Sequence, residues 1–398
     1  MSFRFGATFS RRRLEALTLV VGASSFSSAA RAAEVFTSDH VSLDVKTRVQ
    51  LRYQLTTVTG AGAPAVDPQA LATVGTLRLY LAGHVLAPEL RYTVQLALAD
   101  RDYRDGAKSP LYDAFFDWRP HRDLSLRVGQ FFVPFDRLRT VREFALQFAE
   151  RPRPVGELTL DRDVGIVLSQ ARLFGEASPL TVRVGAFGGQ GTNQSVLREA
   201  GGLLVGRAEV RPLGDLDDDE EGDLKRRETP AVALGVGVAK NWNSPRARST
   251  TGTTFVGGTA DQTHAAVDLV AKWRGVYLAG ETLWKRSDVD AIVSTNADGS
   301  TRREPTRSAR GWVAQASYVF EHPFELAARY SRLTPYAGTD PALVSELAAR
   351  GQEVGLGVNE YVNGHKFKVQ ASWIARSKPG LALENAEHTV YVLVDATL

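Results

Sequence analysis

The sequence predicts an all-β protein, a transmembrane antiparallel β-barrel of about sixteen strands with a long third loop folded into the lumen. Three observations carry the prediction. Strand-length stretches alternate apolar and polar side chains along nearly the whole chain. Short turns alternate with long polar loops between those stretches. An export signal opens the chain, yet no later apolar run reaches the roughly 18 residues that a membrane-spanning helix needs.

The first element is the leader, expected over residues 1–32. Arg4 and Arg11-Arg12-Arg13 make a basic start, LEALTLVVGASS is a short apolar core, and Ala30-Arg31-Ala32 fits an A-x-A cleavage site. The apolar core is too short to serve as an uncleaved anchor. The barrel domain is expected over residues 33–398. Five arginines and one glutamate leave with the leader, so 48 basic and 45 acidic residues become 43 and 44. The sequence pI near 9.0 therefore owes much to the leader and does not argue for a nucleic-acid partner. With no cysteine, neither a disulfide framework nor a thiolate metal site is available.

The strands follow. In SLDVKTRVQLRYQL, Leu43, Val45, Thr47, Val49, Leu51, Tyr53 and Leu55 share one face, and Asp44, Lys46, Arg48, Gln50 and Arg52 share the other. A two-residue period means a strand with one apolar and one polar face. The pattern recurs in ELRYTVQLALAD, LSLRVGQFF, LTVRVGAFG, GWVAQASYVF, FELAARYSRL, HKFKVQASWIA and HTVYVLVDATL. Turns near Pro88, Pro120, Arg274-Gly275, His322-Pro323 and Asn363-Gly364 alternate with longer loops. Lipid cannot satisfy an open sheet edge, so such a sheet must close. A soluble sandwich would also alternate. Here, however, the polar faces carry Arg and Lys throughout, and Trp273, Trp284, Trp312, Trp373, Tyr318 and Tyr330 lie at or near strand ends, where aromatic girdles belong. The chain stops on a strand with Val390, Val392, Val394, Ala396 and Leu398 on one face, as a barrel's closing strand does.

The third loop has internal structure of its own. In GQFFVPFDRLRTVREFALQFAER, Thr140 and Glu143 form a capping-box pattern, and Val141, Phe144, Ala145 and Phe148 follow at helical spacing. A short helix packed on the barrel wall is expected. Around it Asp136, Glu143, Glu150, Glu157, Asp161 and Asp163 stand against Arg137, Arg139, Arg142, Arg151, Arg153 and Arg162. On the inner faces basic side chains, Arg329 among them, outnumber acids; rings of Arg and Lys select anions, and the guanidinium fork suits oxyanions.

Other chemistry finds no support. The run LDDDEEGDLKRRE (Leu216–Glu228) lacks calcium-loop spacing and reads as a solvated charge run at a periplasmic turn. The glycines of GAFGGQG and LGVGVAK do not lead a strand into a helix, so nucleotide binding is not indicated. The seven histidines show no paired metal spacing, and no cofactor is expected. A hydrolase of the phospholipase type would need a nucleophile and base, and no such pair is evident.

On the blocks VGQFFVPFDRLRT, FAERPRP, RDVGIVLS, VGAFGGQG, LAGETLW, GWVAQASYVF, FELAARYSRL and VGLGVNEYVNGHKFKVQASW, in this order, the chain resembles the phosphate-selective porins (the porin O and P family) of Gram-negative outer membranes. The resemblance implies a homotrimer of sixteen-stranded barrels in the outer membrane, among its lipid and lipopolysaccharide. Each barrel would be a passive diffusion channel for small anions such as phosphate or polyphosphate, its third loop forming the constriction. The family's basic constriction positions match Arg139 and Arg151, and its other pore arginines match Arg48, Arg207, Arg246 and Arg248. With Arg137 and Arg329 these make up the expected anion pathway. Where family members carry an arginine pair opening the second strand, this chain has Gly75-Thr76. A general, weakly selective porin is the alternative reading.

Overall fold

The alternation closes on itself. A computed structural model describes residues 33–58, 68–106, 109–194, 200–216, 219–336, 339–380 and 382–398. The expected leader and Asp217-Asp218 of the acidic run lie outside the described residues.

The barrel begins with β1 (Ser42–Val58), β2 (Gln69–Val85), β3 (Ala87–Ala97) and β4 (Leu111–His121). β5 (Leu124–Phe132), β6 (Arg162–Gln170), β7 (Leu180–Phe187) and β8 (Gly202–Val210) follow. Next come β9 (Ala231–Ser244), β10 (Ala260–Trp273), β11 (Val276–Ser287) and β12 (Ala309–Val319). β13 (Phe324–Pro335), β14 (Gln352–His365), β15 (Phe367–Ser377) and β16 (Glu387–Thr397) complete it. Each strand pairs antiparallel with the next, and β16 pairs back onto β1 from Arg48–Thr397 to Val58–Glu387. Thr47 and the terminal Leu398 exchange backbone hydrogen bonds of 2.9 and 2.7 Å, so the last residue of the chain seals the seam. Sixteen strands, as expected, leave the barrel without an open edge.

The two faces are inverted relative to a water-soluble protein. On β1, Leu51 and Tyr53 are exposed while Arg48, Gln50 and Arg52 are buried; on β9, Leu234, Val236 and Val238 are exposed. Apolar side chains outward and charged ones inward suit a wall with lipid outside. Gly75 occupies a bulge in the β1–β2 register, where a Cβ would stand 2.9 Å from Gln50 Oε1 and 3.0 Å from Arg52 Cβ. This departure from the family pattern thus makes room for the inward Arg52.

Short turns close one end of the barrel and long connections the other. Two of the long ones carry hairpin ribbons, Arg246–Arg248 with Thr251–Thr254 and Ala291–Thr295 with Thr301–Pro305. A third carries a helix, Pro341–Ala349, whose first turn is capped by Asp340 accepting the Ala342 N–H at 3.0 Å. The β5–β6 connection contains two short helices, α1 (Arg137–Thr140) and α2 (Arg153–Leu158).

Candidate functional site

The β5–β6 segment, residues 133–161, meets the polar faces of strands spread around the barrel. Its apolar residues anchor it first. Val133, Phe135, Leu138, Val155, Leu158 and Leu160 are all buried, in one cluster with Val205, Ala239, Ala266, Leu283, Val313 and Leu333. At about 1.5–3 kcal/mol for each fully buried side chain, this burial is worth roughly 10 kcal/mol. Inward glycines make the approach possible. A Cβ on Gly237 would stand 2.1 Å from the Phe135 carbonyl oxygen, and one on Gly357 would crowd Gln147 O and Phe148 at 3.2 Å.

Of the expected helix over Val141–Phe148 only one 3-10 turn, Glu143–Ala145, forms. Thr140 ends α1 rather than capping a new helix, and its hydroxyl bonds back to Asp136 O and Arg137 O. The physical reason is that the backbone between is claimed by the wall. Lys368 donates to Phe144 O and Leu146 O at 2.9 and 2.7 Å, Arg329 donates to Glu150 O at 2.9 Å, and Asn359 donates to Gln147 O at 3.2 Å. The Gln147 N–H is held by Glu221 at 2.7 Å and the Ala149 N–H by Ser372 at 3.3 Å. Apart from the turn at Glu143–Ala145, long-range partners satisfy the groups that a helix would satisfy locally.

Charge fastens the start of the segment. Arg137 donates from Nε to Asp268 at 2.8 Å and from Nη2 to Glu209 at 2.7 Å. Arg207 donates to Asp268 at 2.7 Å and to Phe135 O at 3.0 Å. Glu281 accepts the Arg137 and Leu138 backbone N–H groups, both at 3.0 Å, capping α1 from the wall. Burial holds the Asp136 carboxyl above its usual range, against the Thr159 hydroxyl, the Arg207 and Arg139 charges and a hydrogen bond with Glu281.

The structure divides the eight expected pathway arginines. Arg137, Arg207, Arg48 and Arg329 are each no more than 5 % exposed. Arg137 and Arg207 share Glu209 and Asp268; Arg48 pairs with Asp395 and Arg329 with Glu353. All four are thus buried and paired with carboxylates. Arg139 is more accessible and bonds to Asp161. Arg246 donates to Gly252 O at 3.2 Å across its ribbon, while Arg248 reaches Gly156 O at 3.2 Å. Arg151, half-buried, donates to the Leu138 and Val141 carbonyls and ties the segment to itself.

The five acids and five arginines of the segment, with Arg162 and Asp163 at the start of β6, sort unevenly. Glu143 faces Arg78 at 3.6 Å and Arg101 at 3.3 Å. Burial opposes its ionisation, but Arg101, Arg48, Arg78 and Arg151 hold its carboxyl down at about 2. Glu150 bridges Arg52 at 2.6 Å and Arg376 at 3.0 Å; despite burial, these two likewise hold it at about 2. Glu157 pairs with Arg307, and Asp161 with Arg139 and Arg162. By contrast Arg142, Arg151 and Arg153 have no carboxylate partner among the described residues. Burial and the neighbouring Arg139 charge pull Arg151 down to about 10, which leaves it cationic at neutral pH. Arg142 and Arg153 were not singled out from the sequence; nothing local distinguishes them from their paired neighbours.

The acidic run is a second correction. Rather than being solvated, Leu216, Glu221 and Asp223 are buried. The Glu221 backbone N–H donates to Ala145 O at 3.1 Å, and its carboxylate accepts from Gln147 N and from Gln315 at 2.8 Å. Asp223 accepts the Gly275 N–H at 2.8 Å. The β8–β9 connection thus braces the β5–β6 segment from the short-turn end.

Comparison with known proteins fits this architecture. The sequence profile of the family described as phosphate-selective porin O and P matches residues 45–390. No curated protein sequence matches the chain. Among solved structures, Salmonella typhi OmpF in complex with daunomycin is similar at 13% identity and a TM-score of 0.57, over 91% of this chain and 99% of that one. An anion-selective porin from Comamonas acidovorans is similar at 12% identity and 0.53, over 90% of this chain and 100% of that one. The trimer form of Vibrio cholerae OmpT gives 11% and 0.54, over 90% and 100%. At such identities the likeness is one of fold.

Proposed function

We propose that this chain, which belongs to the phosphate-selective porin O and P family, conducts small anions such as phosphate through a constriction made by the β5–β6 segment. It is an outer-membrane porin; the proposal concerns what it prefers and where. The carrying observation is the uneven sorting of charge. Four of the six loop carboxylates, Glu143, Glu150, Glu157 and Asp161, are tied to arginine, and Asp136 and Asp163 accept from the Thr159 hydroxyl and the Gly189 N–H, whereas Arg142, Arg151 and Arg153 lack a carboxylate partner among the described residues. A narrow site with surplus guanidinium offers a partly dehydrated oxyanion both charge and paired donors. Contacts of the segment with the polar faces of β8, β10, β11, β14 and β15 support its place within the lumen. Arg139 and Arg248 border the same passage, and Arg48, Arg137, Arg207 and Arg329 act by holding its walls.

In the cell, residues 1–32 serve as a cleaved export leader, and the barrel assembles as a homotrimer through lateral apolar faces; neighbours of this fold include a trimeric form. A weakly selective pore is the second reading, favoured by the pairing of so many inner arginines with acids.

Reversal potential in a KCl gradient across a planar bilayer tests the proposal. At an effective dielectric near 20, a unit charge ~6 Å from a passing ion acts with roughly 3 kcal/mol before screening. Arg142→Gln with Arg153→Gln should therefore lower the anion-to-cation permeability ratio about tenfold, even with half the effect screened. A wild-type pore that prefers cations, or a double variant matching wild type, would sink the assignment.

A further inference from the structure

Three arginines on the outer wall have no role in the pore. Arg286 on β11, Arg310 on β12 and Arg332 on β13 are all exposed and sit at the long-loop ends of their strands. They form one diagonal row. Arg310 pairs in register with Trp284, two residues below Arg286, and Arg332 pairs with Trp312, two residues below Arg310. Strands of a closed barrel are tilted, so residues at one height step along the register from strand to strand. Tracing paired residues in strand order leads back to β1 nearer its long-loop end, so the row follows that tilt and runs level.

Directly below the row lie Trp284, Trp312 and Tyr330, with the Trp312 and Tyr330 rings 5.1 Å apart. Farther down come Leu278, Leu326 and Tyr318, all exposed and apolar. An aromatic girdle marks the boundary between hydrocarbon and headgroup, so the guanidiniums stand at headgroup height, on the side where long loops face outward. None of the three guanidiniums has a hydrogen bond or ion pair among the described residues, whereas most described arginine side chains do. Lys240, which lines a cleft with Arg286, faces Asp261 at 3.5 Å and adds little net charge. Asp288 and Asp290 border Arg286 along a cleft that also includes Tyr336. The Asp288 carboxylate there accepts the Asp261 N–H at 3.0 Å.

We propose that Arg286, Arg310 and Arg332 form a docking site for the phosphate groups of a phosphorylated, acylated glycolipid of the outer leaflet. Its acyl chains lie along the apolar strands beneath. The chemistry matches on both levels: planar guanidinium forks pair with phosphate oxygens bidentately, and the aromatic and aliphatic band below receives chains. A soluble phosphate would use only the first.

The test titrates the purified full-length protein in detergent with bisphosphorylated lipid A, reading bound lipid by native mass spectrometry. Arginines at an anionic surface contribute about fivefold each in affinity. Arg286→Ala, Arg310→Ala and Arg332→Ala should each weaken binding several-fold, and the triple variant at least tenfold. Dephosphorylated lipid A should bind wild type at least tenfold more weakly, and inorganic phosphate at equal concentration should not displace the lipid. Ion selectivity should be unchanged, which separates this site from the pore. If the triple variant does not fold, as judged by heat-modifiability, the single variants decide. Single variants all within twofold of wild type, equal binding of dephosphorylated lipid, or displacement by phosphate would each overturn the proposal.

Discussion

Replacing Arg137 with methionine should release the start of the β5–β6 segment without unfolding the barrel. Arg137 is 4 % exposed and holds Asp268 at 2.8 Å and Glu209 at 2.7 Å. Without it, Asp268 keeps Arg207 at 2.7 Å, and Glu209 keeps Arg211 at 2.7 Å and Arg207 at 3.3 Å. Both carboxylates stay buried with less compensation. Breaking a buried pair by removing one partner costs about 3–5 kcal/mol. The roughly 10 kcal/mol of apolar burial along the segment opposes release, so the segment should loosen at α1 rather than leave the wall entirely. A shift of about 4 kcal/mol changes the population of a locally detached state nearly a thousandfold. Single-channel recording should then show added current noise and a higher mean conductance, while heat-modifiability on gels remains. Glu281→Gln is the contrasting variant. Glu281 gives α1 only acceptor oxygens, and a glutamine carbonyl can still accept the Arg137 and Leu138 N–H groups. Its amide can donate to Asp136. That change should cost no more than about 1 kcal/mol and leave the current quiet. A silent Arg137→Met channel, or a Glu281→Gln channel equally disturbed, would refute the reasoning.

Two further outcomes follow from the same site. With Glu143 and Glu150 held at about 2, both stay ionised well below the ordinary carboxylate range. Their pairing stabilises the docked segment in full above about 4.5 and is lost as pH falls through about 2. Any change of ion selectivity between pH 7 and about 4 should accordingly persist in Glu143→Gln and Glu150→Gln, and an inflection near 4.5 that either substitution removes would contradict the assignment. Glu221→Ala should strip the Gln147 N–H of its acceptor, a loss of about 1–3 kcal/mol, and leave the Gln315 amide with only Gln147 Oε1 at 2.7 Å. Limited proteolysis should cut the segment near Gln147 faster than in wild type, and an unchanged rate would show that the β8–β9 connection is not a brace.

The barrel was legible because its rule is local. Whether Arg48, Gln50 and Arg52 point inward depends only on the two-residue period of their own strand, and that assignment holds in the structure. The segment was not legible because its partners are remote. Thr140 and Glu143 carry the same letters in a capping box as in an extended run, and only Lys368, 222 positions from Leu146, decides between them. The acidic run misled for the same reason: Glu221 is hydrophilic in its neighbourhood, but its acceptor role is set by Gln147 and Gln315, 74 and 94 positions away. One usable signal lay in the inner-face glycines. A strand that places Gly237, Gly355 or Gly357 on its inner face leaves room for backbone to approach, and that is where Phe135, Gln147 and Phe148 come to rest.

Charge counting explains why the candidate site was harder still. Six acids against six arginines in one loop reads as neutral, and neutrality predicts no selectivity. Position decides instead. A carboxylate in a wet lumen gains little by standing alone near the mouth, whereas one set between the segment and the wall is desolvated and requires a partner. The acids of this segment occupy such places: Glu150 between Arg52 and Arg376, Glu157 against Arg307, Glu143 beside Arg78 and Arg101. Each arginine so engaged has its field largely cancelled at the distance of a passing ion, because a close opposite charge leaves only a dipole. Under the proposed function, the cations without such partners set the sign of the potential, and in this segment they are Arg142, Arg151 and Arg153. On that proposal, holding the segment in place and choosing the ion are separate tasks given to different arginines. A sequence that shows only their number cannot show the division.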